Sequence, residues 1–118
     1  MTRPRRILAS SGGFVPTGRW GVLAPGGIML RALTLSGVTR PRVCLVMTAS
    51  GDDSSYLTLM YSALADAGCD VDHLALFPQP NREPAAVLGS ADVVWVGGGS
   101  VANLLALWRL HGVDAAMA

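Results

Sequence analysis

The sequence predicts an α/β fold, a parallel sheet with helices on both faces, and three observations carry that prediction. Four short apolar runs are bounded by Gly, Ser or Pro. Stretches between and after them repeat apolar residues at helical spacing, and the links are short. Runs of this length rich in β-branched residues fit strands buried on both faces. Alternating with helices, they make the βαβ units of a doubly wound, three-layer sheet.

The elements follow in chain order. Arg6–Ser10 (RILAS) is the first expected strand, and a weaker helical pattern covers Ile28–Leu35 after Pro25-Gly26-Gly27. Val43–Thr48 (VCLVMT) is the second strand. Leu57, Met60, Tyr61 and Leu64 then recur at helical spacing between Ser54 and Gly68, with Asp52 or Asp53 placed to cap the start and Gly68 to end it. Val71–Phe77 is the third strand. The Pro78–Pro84 stretch (PQPNREP) reads as a loop leading to one helical turn before Ser90. Val93–Val96 (VVWV) is the fourth strand, and Val101, Leu104, Leu105 and Trp108 set a last helix over Val101–His111, stopped by Gly112. Trp95, Trp108 and Met60 have the spacing of core residues.

A chain of 118 residues has room for one domain, spanning 1–118. Hydrophobic residues make up 51% and charged ones 14%, against about 25% charged in an ordinary domain, so a disordered tail is excluded. The net charge of +1 gives no global field for nucleic acid or an anionic membrane. Its distribution is lopsided: residues 1–51 hold seven Arg and no acid, residues 52–118 eight acids and two Arg. No lysine occurs, which removes the P-loop phosphate grip and every Schiff-base mechanism. Cys44 and Cys69 are too far apart for a CxxC pair and read as reduced, buried thiols of a cytosolic protein. Arg5-Arg6 fails as a targeting signal because the apolar run after it stops at Ser10-Ser11-Gly12-Gly13. The uncharged stretch Val93–Trp108 is broken by three glycines and is shorter than the ~18 apolar residues of a membrane span. A cytoplasmic protein without membrane or nucleic-acid partners is expected.

Ligands of open parallel sheets bind outside the carboxyl ends of the strands. Three of the four segments there are small, hydroxyl-bearing and glycine-rich: Ser10-Ser11-Gly12-Gly13, Thr48-Ala49-Ser50-Gly51-Asp52 and Gly97-Gly98-Gly99-Ser100. Backbone amides can approach a ligand closely in such loops, although each is also an ordinary tight turn. The triple glycine runs from a strand into a helix N-terminus, where free amides and the helix dipole favour an anion or a developing oxyanion. Phosphate binding is one use, since Gly97, Gly99 and Ala102 satisfy a loose dinucleotide fingerprint. The acidic ribose partner, ~20 residues on, would fall at or beyond the chain end. The other use is an oxyanion hole for acyl transfer. His111, at a helix C-terminus, gains from the dipole, and His73 reads as a packed or rim residue rather than a base.

The run VVWVGGGSVANLLALWRLHGVD, with RRILASSGGF and MTASGDD, resembles peptidase E. These are serine-type alpha-aspartyl dipeptidases on a fold related to class I glutamine amidotransferases, with cyanophycinases as relatives. The resemblance covers the chain in order and implies hydrolysis of dipeptides with N-terminal aspartate, without metal or cofactor. It also implies roles: the Gly99 amide lines the oxyanion hole and Gly98 shapes the turn. Ser100 stands where the family often has asparagine. Ser100 and Asn103, one turn into the helix, are substrate-side residues, and Ser50 and Asp52 lie at the rim.

The family's Gly-x-Ser-Ala-Gly nucleophile turn, and the histidine and acid after it, have no counterpart in the sequence. An oxyanion hole without a nucleophile does not run covalent acyl transfer. The expectation is therefore the amino-terminal half of a peptidase E-like domain, truncated and inactive alone, with an uncovered sheet edge open to self-association. Two alternatives stand beside it: a free-standing α/β module binding an anion or nucleotide, and a non-catalytic remnant acting through another chain.

Overall fold

The computed structural model describes residues 4–118. Its centre is strand β3, Arg42–Val46, labelled after a hairpin of β1 (Phe14–Pro16) and β2 (Leu23–Pro25). β3 pairs in parallel with β4 (Asp70–Leu74), from Arg42 opposite Asp70 to Val46 opposite Leu74. On its other side it pairs in parallel with β5 (Val93–Val96), from Val43 opposite Val93 to Val46 opposite Val96. The order is β4-β3-β5. A central strand has no wet face, which is why VCLV is apolar throughout.

Alternation along β3 divides the core in two. Val43, Leu45 and the following Met47 point to one face, where Met29, Met60, Leu64 and Cys69 meet them. Those residues come from α1 (Gly27–Leu35), α2 (Ser54–Asp66) and the turn after it. Cys44 and Val46 point to the other face, against Leu74, Leu76, Val87, Leu88 and Val113. That side is covered by α3 (Pro84–Ser90), α4 (Val101–His111) and α5 (Val113–Met117). The expected three-layer α/β architecture is thus present.

Four details differ from the sequence reading. Arg6–Ser10 is not a strand: residues 6–10 lie exposed, Ile7 at 95%. Only three apolar residues run together there, and none is seated on the sheet, so burial does not offset the ordering entropy. The chain instead first pairs at Phe14, antiparallel to Pro25, in a hairpin that the sequence reading lacks. β4 stops at Leu74 rather than Phe77. The Leu76 and Phe77 amides donate to the Asp52 carboxylate, at 3.0 and 3.1 Å, and the Ala75 amide donates to Asn81 Oδ1 at 2.8 Å. Side chains have taken the groups a ladder needs. α3 runs a full seven residues rather than one turn, with Glu83 accepting from the Ala85 amide and Pro84 in the first turn. Gly112 ends α4 with φ +74, as expected, yet the chain resumes as α5 because Val113 is wholly buried.

Topology fixes where a ligand can sit. The loop after β3 leads to α2 on the first face, and the loop after the neighbouring β5 leads to α4 on the second. Between two strands whose loops leave to opposite faces a crevice opens at their carboxyl ends.

Candidate active site

The crevice is a cleft of about 270 Å³. All three glycine-rich segments reach it: Ser11, Gly12 and Gly13 from one, Ser50 from the second, Gly97 and Gly98 from the third. Phe14, Met47, Asp53, Tyr56 and Trp95 complete the wall.

Each loop is held by identifiable contacts. After β3 the chain makes a 3-10 turn, Thr48–Ser50, with the Ser50 hydroxyl donating to the Met47 carbonyl at 3.1 Å. The triple-glycine turn is docked on that segment: the Gly97 amide donates to Val46 O at 3.0 Å and the Ser100 amide to Ala49 O at 2.8 Å. Close docking explains Gly99. Its φ is +145, and a Cβ there would lie 2.2 Å from the Ala49 carbonyl oxygen, so no other residue fits. Gly13 is crowded for a different reason: a Cβ on it would sit 2.2 Å from the Trp95 ring, which would have to shift. Phe14 meets that same ring edge-on, centroids 5.9 Å apart.

Gly97 and Ser100 being committed, the Gly98 and Gly99 amides have no acceptor among the described residues. They stand at the N-terminus of α4, whose dipole adds partial positive charge. α4 itself is fixed at both ends. The Asn103 amide donates to the Ser100 hydroxyl at 3.2 Å, and Trp108 Nε1 donates to the buried Thr48 hydroxyl at 3.1 Å.

The sequence-predicted site residues separate into two groups. Gly98 and Ser50 line the cleft, and Gly99 adjoins it in the same turn. Ser100 serves as the α4 cap, Asn103 lies exposed in the first turn, and Asp52 does not line the cleft. The Asp52 carboxylate is bound to the Leu76 and Phe77 amides and ties the loop after β3 to the loop after β4. It holds a left-handed conformation, φ +57, unusual for a residue with a side chain.

Sequence reasoning missed Asp53, Tyr56 and Trp95 as wall residues. Asp53 is legible as a cap and is one, its Oδ1 accepting from the Ser55 amide at 3.1 Å. Tyr56 follows it by three residues, on the same side of α2. Trp95 has core spacing in the sequence, and it packs on the core while also lining the cleft.

Neither histidine lines the cleft. His73 sits on β4 with Nδ1 2.6 Å from the Tyr61 hydroxyl and Nε2 3.4 Å from Asn81 Nδ2. Burial first, then the Asp72 carboxylate, raise the Tyr61 hydroxyl to about 12, which keeps it neutral beside the imidazole. Cys44 and Cys69 are buried and unbridged. Among the described residues no three His, Cys, Asp or Glu side chains gather at metal-ligating distance, and no helix is long and apolar enough to cross a membrane.

The model of peptidase family S51 matches residues 7–118. The chain belongs to peptidase family S51. A relative, the uncharacterized peptidase YgaJ of Bacillus subtilis (strain 168), is 40% identical over 75 residues, which is 64% of this chain and 33% of that protein. The matched stretch thus spans a third of the relative's length. Family membership agrees with the peptidase resemblance read from the three glycine-rich loops.

Proposed function

We propose that this S51 chain forms the oxyanion side of a serine-type dipeptidase site acting on dipeptides with N-terminal aspartate. One observation supports the reading: at the crevice between β3 and β5, the adjacent Gly98 and Gly99 amides have no acceptor among the described residues, in a turn that requires glycine at position 99. A tetrahedral intermediate of acyl transfer needs such donors already in place, and one is worth about 2.7–4 kcal/mol to the transition state. The 118 residues contain no Gly-x-Ser-x-Gly turn. In this reading the nucleophile and its base come from outside them, and the described residues alone are inactive.

The test is a titration of the ¹⁵N-labelled chain with Asp-Leu and, separately, with AMP. Asp-Leu is expected to shift the Gly98 and Gly99 amides while AMP leaves them in place. Shifts with AMP and none with Asp-Leu would replace the reading with a nucleotide-binding module. A Gly99→Ala variant sharpens the result. Its methyl would overlap the Ala49 carbonyl, so it should lose the Asp-Leu response and about 1–3 kcal/mol of stability.

A further inference from the structure

We infer that the cleft binds the free α-ammonium group of a peptide on the carboxylate of Asp53, in a wall it shares with Tyr56 and Trp95. This rests on the peptidase reading and deepens it by assigning the end of the substrate the cleft selects.

Among the described residues Asp53 is the only charged side chain in the cleft wall. Its cap function uses Oδ1, while Oδ2 has no partner among the described residues. The aromatic rings of Tyr56 and Trp95 line the same space. A carboxylate oxygen in a wall shared with aromatic residues suits a small cation, because the carboxylate accepts its hydrogen bonds and an aromatic ring attracts a cation placed over its face. An anionic group finds no Arg of the described residues in this wall. Its donors would be the Gly98 amide and the Ser11 and Ser50 hydroxyls, contributed by the glycine-rich loops. The first residue of a dipeptide carries its ammonium and its scissile carbonyl on either side of one Cα. One wall that accepts and one that donates therefore matches a peptide's free amino end, and an internal peptide segment has no ammonium to offer.

Calorimetric titration of the chain and its Asp53→Asn variant with Asp-Leu and with N-acetyl-Asp-Leu decides it. Asparagine keeps the helix cap, so the variant retains the fold while losing the charge. Acetylation is expected to weaken binding to the natural chain about tenfold and to the variant less than about twofold. Equal affinity of the natural chain for both peptides overturns the inference while the peptidase reading stands. An equally large acetylation effect in the variant also overturns it, since the acetyl group would then be excluded by shape. Failure of the natural chain to bind either peptide removes the peptidase reading itself, and the inference with it.

Discussion

Helices α2 and α4 each follow a strand at the same edge of the sheet, but they are held in different ways. α2 buries Met60, Ala63 and Leu64 against the first face. α4 buries no residue at all, and Val101 and Leu110 are 67% and 73% exposed. Leu107 and Trp108 rest half-buried on the second face, and what fixes the N-terminus of α4 is polar: the Ser100 amide on Ala49 O and the Ser100 cap, with the Trp108–Thr48 bond further along. The hydrophobic core thus positions the sheet and α2, while directed hydrogen bonds position the helix end that carries the free amides. Directionality is what an oxyanion donor needs, and burial alone does not supply it.

If that division holds, its largest consequence is on the α2 side. Met60 is fully buried, and Met60→Ala should cost about 2–5 kcal/mol in chemical denaturation. A cost under about 1 kcal/mol would mean that α2 is no better sealed than α4.

The second face can be probed through Cys44, which lines a cavity of about 380 Å³ with Asp72 and Arg82. Burial, then the Asp72 carboxylate, push its thiol from 9.0 up to about 11. A raised thiol pKa means that the folded chain holds the proton when the unfolded chain has released it. The associated stability is present below pH 9 and lost as pH climbs toward 11. A decline on the order of 2 kcal/mol is expected over that window, and a smaller one in Cys44→Ala. A profile no steeper than the variant's would show water reaching the thiol through this face.

The same division explains how much of the molecule was legible in the sequence. Burial writes itself as periodicity, so Val43–Val46, Val93–Val96 and the helix around Met60 could be read directly. Side-chain hydrogen bonds leave little trace: nothing in VDHLALF says that Asp52 will take the Leu76 and Phe77 amides and end the strand at Leu74. RILAS shows the converse error, an apolar run that no partner covers. Within the site, the glycine turn was visible because backbone constraint demands a residue type. The wall residues Asp53, Tyr56 and Trp95 were not, because each also satisfies an ordinary structural role, as cap, helix residue and core ring.

The smallest expected effect tests the α4 side of the comparison. Leu110 lies 73% exposed near the end of α4. Leu110→Lys therefore removes little buried surface, keeps helix propensity nearly unchanged and places a positive charge near the negative end of the dipole. Stability should move by less than about 0.5 kcal/mol. The amide shifts of Gly98 and Gly99 should be unchanged as well, because the contacts that fix the other end of the helix run through Ser100. A loss above about 1 kcal/mol would show that α4 depends on apolar contact along its length, and the polar account of how the amides are held would then be wrong.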